Sequence, residues 1–363
     1  MTPLRDIFTA FAPEYLERYP NLPTAHRKAL SAIQQCQSGH YGHSLYQCQS
    51  CGEQHRVHPS CGNRHCPQCQ QHNTHQWLHH HLDKQLPGPH FLLTFTVPET
   101  LRPFIRSHQR IAYHAMFPAS SLALKRLAQD ERFIGTDLPG FLGVLHTWGR
   151  QLQYHPHIHY IVPGGGLSKD RTAWRPSRAH FFVPVKALSP IYRAMWKAEM
   201  RRAGLLEHID PQVWTIPWNV HSQANHNGYS ACQYLAPYVF RVAISNSRIV
   251  GLTDRTGTFT YRKPGSARPR TTHLDVMEFL RRFLQHVLPN GFMKVRHFGF
   301  RHASCGIPPA TLRLLIVQAH PIAGQSTPIV HPPPSVVRCP TCGTPLRVIM
   351  RLWTSARTFV DTS

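Results

Sequence analysis

The sequence predicts an α+β fold in which a small cysteine-rich module precedes a larger domain of strands interleaved with helices. Three observations lead there. Two Cys-x-x-Cys pairs lie within residues 36–69, apolar runs of strand length sit at 91–97 and 157–162, and a strongly amphipathic stretch spans 274–287. No internal repeat and no long low-complexity tract interrupts this order.

Residues 1–35 read as helix punctuated by proline, a lead-in to the cysteines. Gln70 to Leu86 has helical character and stops at Pro87-Gly88-Pro89, a natural boundary. Phe91–Val97 follows as a first buried strand, and a second, from about His157 to Val162, ends at Gly164-Gly165-Gly166. Ser189-Pro190 has the chemistry of a helix start, an N-cap hydroxyl followed by Pro at the first position. A strand is expected at Trp214–His221, a helix over Gly228–Val239, and strands near Val242–Val250 and Thr258–Arg262. In Leu274–Val287 the apolar Val276, Phe279, Leu280, Phe283, Leu284 and Val287 recur at helical spacing, with Arg281 and Arg282 on the other face. The expected division is therefore 1–87 for a helical and zinc-binding domain, 88–300 for a catalytic domain, and 301–363 for a basic, Pro-rich tail with a lone knuckle.

Charge narrows the partners. The chain has 40 Lys and Arg against 17 Asp and Glu, a net charge of +23. Such an excess costs self-repulsion and points to a polyanion. Acids are scarce where they would matter: Asp170 is the only one between Asp137 and Glu199, and none occurs from Phe279 to Val360. No long apolar run is present, which argues against a membrane partner. Arg5, Asp6 and Glu14 interrupt the opening stretch, so it does not read as a signal peptide.

Ten cysteines, six of them in Cys-x-x-Cys pairs, without a secretory signal, read as metal ligands in a reducing compartment. Cys48-Gln-Ser-Cys51 and Cys66-Pro-Gln-Cys69 are separated by fourteen residues, and four thiolates complete a tetrahedral Zn²⁺ shell. Such a closed shell is structural. Cys36, Cys61, His43, His55, His58 and His65 are spare ligands for a second ion or an alternative set. A third knuckle, Cys339-Pro-Thr-Cys342, stands alone; Cys305, His320 and His331 are its candidate partners, with a plain solvated tail as the alternative.

With 28 histidines in the chain, only spacing makes a histidine informative. In Tyr154-His-Pro-His-Ile-His-Tyr-Ile-Val162, strand alternation puts His157 and His159 on one face and Ile158 on the other. Two imidazoles on a rigid strand form a metal-binding pair with positions left open for substrate. Pro156 suggests that the strand begins there, which leaves His155 undecided. Downstream, Tyr234-Leu-Ala-Pro-Tyr238 sets two phenols four residues apart on an expected helix. Taken by itself the pair suits core packing as well as nucleophilic attack, and Pro237 would kink the helix.

Taken in order, these motifs resemble the rolling-circle insertion-sequence transposases of the two-tyrosine HUH class, the insertion sequence 91 family. The resemblance runs through Cys61-Gly-Asn-Arg-His-Cys-Pro-Gln-Cys69, Val144-Leu-His-Thr-Trp-Gly149, His155-Pro-His-Ile-His159, Tyr234-Leu-Ala-Pro-Tyr238 with Arg241-Val-Ala-Ile-Ser245, and Phe283-Leu-Gln-His-Val-Leu-Pro-Asn-Gly-Phe292. It implies an HUH endonuclease core, an antiparallel sheet flanked by helices, behind a zinc-binding domain. It also implies that His157 and His159 hold Mg²⁺ or Mn²⁺ and that Tyr234 and Tyr238 are nucleophiles towards single-stranded DNA. The third ligand is not fixed by a motif; His221 and Gln223 are the candidates. The expected setting is the bacterial cytoplasm, at the nucleoid. Arg241, Arg248, Arg281 and Arg282 are candidate phosphate contacts, and Trp148, Trp174 and Tyr160 candidate stacking platforms. A carboxylate-triad transposase would need three placed acids, and Asp137, Asp170 and Asp254 form no such pattern. A non-catalytic zinc-ribbon DNA-binding protein, or an inactive transposase copy, is the remaining alternative.

Overall fold

The computed structural model describes residues 4–70, 85–225, 243–263, 265–319 and 336–354. Helices α1 (Leu4–Arg18) and α2 (Thr24–Gln34) lead into the hairpin β1 (His43–Cys48) and β2 (Gln54–Val57). Then come β3 (His90–Thr96), α3 (Arg102–Ser107), α4 (Gln109–Ala128), β4 (Leu138–Pro139), β5 (Phe141–Trp148), β6 (Tyr154–Pro163), β7 (Gly165–Leu167) and β8 (Trp174–Pro176). The remainder is α5 (Val185–Arg202), β9 (Asn219–Asn225), β10 (Ile249–Thr253), β11 (Thr256–Arg262), β12 (Pro269–Asp275), α6 (Val276–Leu284), β13 (Val295–Phe298), α7 (Pro309–Ala319) and β14 (Leu346–Leu352).

The central sheet runs β13-β5-β6-β3-β9, and every neighbouring pair is antiparallel. One face is apolar because the strands alternate: Phe91, Leu93 and Phe95 of β3, Phe141 and Leu145 of β5, and Ile158, Tyr160 and Val162 of β6 are buried in one cluster. They pack with Tyr113, Met116 and Phe117 of α4 and Tyr192 and Trp196 of α5. The Tyr160 hydroxyl satisfies itself on Ser120 Oγ at 2.7 Å. Gly143, opposite Tyr160 in the sheet, leaves room for that ring; a Cβ there would approach it to 2.5 Å. The opposite face of β6 is the one that carries His157 and His159.

A second core joins α1 and α2 to α6 and β11 through Leu4, Phe8, Ile33, Phe259, Phe279 and Phe283, and it also contains Cys36, Cys66 and Cys69. Apolar packing therefore runs across the boundary expected at residue 87. Arg64 strengthens the join by donating to the carbonyls of Phe292 (2.6 Å) and Pro289 (2.8 Å). The C-terminal segment also crosses its expected boundary: β14 pairs antiparallel with β1, giving the sheet β14-β1-β2.

Some element boundaries differ from expectation for local reasons. The helix expected to open at Ser189 starts at Val185 and runs through Pro190, while the Ser189 hydroxyl bonds to the Trp218 carbonyl. The strand expected from Trp214 begins at Asn219, because Pro211–Trp214 forms a 3₁₀ turn capped by Asp210, and Trp214 stacks on Trp218. Helix α6 begins at Val276 because Asp275 caps it, accepting from the Met277 and Glu278 amides. The helix expected at 228–239 and most of that at 70–86 lie outside the described residues. Among the described residues no helix is long and apolar enough to cross a membrane.

Two buried histidines tie this packing to pH. Burial pushes His90 and His286 down from 6.5 to about 3. His90 Nδ1 meets the Gly88 carbonyl at 3.1 Å, and its Nε2 has no hydrogen-bond partner among the described residues. His286 bridges Thr147 Oγ1 and the Leu152 carbonyl. A folded-state value below the unfolded one means that the unfolded chain takes up protons which the folded chain refuses. Stability should therefore be full above pH 6.5 and fall progressively towards pH 3. At pH 5 each histidine should account for a loss of about 2 kcal/mol. Urea midpoints for the parent and His286→Gln at pH 7 and pH 5 check this: the variant should have the shallower pH dependence.

Candidate metal centres and active site

The expectation of one ion shared by Cys48, Cys51, Cys66 and Cys69 requires correction. These residues belong to two separate four-cysteine groups, Cys36/Cys61/Cys66/Cys69 and Cys48/Cys51/Cys339/Cys342. The physical reason is the β1–β2 hairpin: Cys48 ends β1 and Cys51 lies in its turn, where the strand beside β1 is β14. Cys66 and Cys69 instead face the end of α2 and the loop at Cys61.

Within the first group Cys36 and Cys69 sulfurs lie 3.8 Å apart, Cys61 and Cys69 3.4 Å, and Cys66 and Cys36 3.5 Å. A tetrahedron with Zn–S bonds of about 2.3 Å has S···S edges of roughly 3.8 Å, so the group has the size of a zinc shell. These distances are far beyond a disulfide, and all four cysteines are free thiols. Hydrogen bonds from Cys36, Cys66 and Cys69 push the Cys61 thiol up, as expected of sulfurs that cannot all ionise without a cation. His65, a spare candidate, is instead half-buried and takes the Leu288 amide on Nε2 at 3.4 Å. His43 and His58 pack edge to face, outside both groups. Cys305 is a free, half-buried thiol.

The third group is His146, His157 and His159. Strand β6 runs from Tyr154, so His155 is part of it, while β5 brings His146 directly opposite His157. Ring centroids are 4.7 Å apart for His146–His159 and His157–His159, and 5.4 Å for His146–His157. His157 Nδ1 donates to the His155 carbonyl at 2.6 Å, which leaves Nε2 as its ligating nitrogen. Thr94 Oγ1 lies 3.0 Å from His159 Nδ1 and orients that ring from β3. His146 stacks on Trp148 with centroids 4.9 Å apart. Burial, then the neighbouring His159 and His155, hold His157 well below the usual imidazole range; burial, then His155, hold His159 at about 4. At neutral pH both are in the uncharged form that ligates metal.

His221 and Gln223 lie on β9, with β3 between them and β6; both are exposed, and His221 does not join the group. His146 is the third member of the group, and it comes into view only through the pairing of β5 with β6, which sets it opposite His157. Tyr234 and Tyr238, with Arg241, lie outside the described residues. Two stacking candidates are corrected by burial. Trp174 and Tyr160 sit in apolar clusters, whereas Trp148 stands beside the histidines. Arg281 and Arg282 pair with Glu278, and Arg248 donates to the carbonyls of Thr260 and Arg150. No carboxylate joins the histidine group among the described residues, and Asp170 is engaged with Ser168 and Thr172.

The central sheet thus carries a three-histidine cluster, with two four-cysteine groups elsewhere among the described residues, and comparison with known proteins shows what such a chain is similar to. Residues 7–97 match the transposase zinc-binding domain and residues 140–307 match a family described as putative transposase. The chain is 34% identical to a putative transposase, y4qJ, of Sinorhizobium fredii over 81% of its own length and 79% of that protein. It is 27% identical to the transposase for insertion sequence element IS801 of Pseudomonas savastanoi pv. phaseolicola, over 82% and 76%. No solved structure matches. The chain belongs to the insertion sequence 91 family of transposases, with an N-terminal structural zinc-binding domain, and its partner is DNA.

The first cysteine group lies wholly inside the matched zinc-binding region. Replacing Cys66 by Ser should remove one zinc per chain, as read by atomic absorption. It should also lower the thermal midpoint by several degrees, since Cys66 lies in the core shared with α6.

Proposed function

We propose that this transposase cleaves and rejoins single-stranded DNA by metal-assisted tyrosine transesterification. The observation that carries the reading is the trio of His146, His157 and His159, each offering one ring nitrogen within 4.8 Å of the other two on paired strands. Three imidazole donors, with no carboxylate joining them among the described residues, favour Mn²⁺ over Mg²⁺, which prefers oxygen ligands. When bound, the ion supplies Lewis-acid polarisation of the scissile phosphate.

The chain's own residues supply the rest. Tyr234 or Tyr238 loses its phenolic proton, its oxygen bonds to phosphorus, and the 3′ oxygen leaves and takes up a proton as a free hydroxyl. The 5′ side stays joined to the tyrosine, which conserves the bond energy for rejoining without a nucleotide cofactor. The second tyrosine opens another strand while the first is loaded. Exposed arginines hold the phosphates, and Trp148 is the platform for a base. The 88–300 segment is read as the catalytic unit, working where the nucleoid is.

The trio is tested by His146→Ala and by the His157→Ala/His159→Ala pair. Each should reduce Mn²⁺-dependent nicking of single-stranded element ends at least 100-fold while leaving single-strand affinity within about threefold, because binding rests on dispersed phosphate contacts. Full nicking by the pair variant would refute the metal role.

For the nucleophiles, each single Tyr→Phe change should retain some covalent protein–DNA adduct, and the double change none. An adduct that persists in the double variant and maps to another residue would overturn the mechanism. Absence of any adduct from a folded, DNA-bound parent would favour a non-catalytic or inactive copy.

A further inference from the structure

The second cysteine group uses ligands from both ends of the chain. We propose that Cys48, Cys51, Cys339 and Cys342 bind a second structural Zn²⁺ that clamps strand β14 onto the N-terminal hairpin. Two of these ligands lie outside the regions matched by the zinc-binding and transposase families, which stop at residues 97 and 307.

The distances fit the ion. Cys48 and Cys342 sulfurs are 3.3 Å apart, Cys51 and Cys339 3.7 Å, and Cys51 and Cys342 3.8 Å, close to the edge of a ZnS₄ tetrahedron of roughly 3.8 Å. The two knuckles are also built alike. Gly52 N donates to the Cys48 carbonyl at 3.0 Å, and Cys48 N to the Glu53 carbonyl at 2.9 Å. At the other end Gly343 N donates to the Cys339 carbonyl at 2.8 Å, and Cys339 N to the Thr344 carbonyl at 2.8 Å. Both glycines have φ of +74°, the left-handed turn that lets a knuckle close around its metal. Between the knuckles Ser50 bonds to Thr344, and the Thr341 hydroxyl to Glu53. His55 Nε2 lies 3.3 Å from the Cys339 sulfur, where an N–H would support the thiolate from outside a complete four-sulfur shell.

Packing alone does not account for this sheet. Of the residues in β14 none is buried, and β1 and β2 bury only Ser44 and Cys48. Ile349, Met350, Leu352 and Trp353 are 43–48% exposed. A three-stranded sheet with no apolar face to bury lacks a driving force of its own, and a structural zinc supplies one. The clamp makes the central domain an insertion between the two halves of one small zinc module.

The test uses the full chain. The Cys339→Ser/Cys342→Ser variant should lose one zinc per chain relative to the parent by atomic absorption. Amide protection should vanish in 346–352 while the central sheet keeps its own. A second measurement needs no variant: alkylation of the intact parent by iodoacetamide, mapped by peptide mass spectrometry. Although Cys51 and Cys342 are exposed, they should react at least tenfold more slowly than the half-buried Cys305 and become reactive together with Cys339 when a chelator is added. Unchanged zinc content in the variant overturns the proposal. So does alkylation of Cys51 and Cys342 in the zinc-loaded parent as fast as Cys305.

Discussion

Strand β6 must satisfy two environments at once, and the placement of the candidate active site follows from how it does so. Ile158, Tyr160 and Val162 are locked into the core against α4 and α5, and the Tyr160 hydroxyl is tied to Ser120. That anchoring fixes the register with β3 and β5, and the register places His146, His157 and Thr94 at their stations around His159. A slip of one residue would turn the imidazoles into the core and Ile158 outwards. The precision of the histidine face is thus inherited from the apolar face behind it.

A site with carboxylates would hold a divalent ion more tightly, but it would present negative charge to a polyanionic substrate. No carboxylate joins the three imidazoles among the described residues, so an ion held there would keep its charge for the substrate. This arrangement agrees with a chain in which acids are sparse throughout the region that carries the histidines.

Much of this was legible in the sequence, for reasons that can be traced to particular residues. The α+β class, β3, β6 and α6 are marked by local periodicity, and His157 and His159 by their alternation. Helix α4 carries no such mark: twelve of its twenty residues are buried, so no polar stripe reveals its period. His146 is silent in one dimension because its significance lies in the pairing of β5 with β6. The cysteines show the same limit. Fourteen residues between two knuckles suggest a shared ion, yet strand pairing sends Cys48 and Cys51 to partners near the far end of the chain.

That pairing bears on how the protein is made. Cys48 and Cys342 stand 294 residues apart in sequence. At ribosomal rates of 5–20 residues per second, roughly 15–60 s separate the emergence of the first from that of the second. During that interval β1 and β2 form a two-strand hairpin with an open edge, which is marginal in isolation and a template for wrong partners. The central sheet, whose strands lie between, is complete before the N-terminal sheet can be. The N-terminal sheet can therefore close only after residues 346–352 have been made.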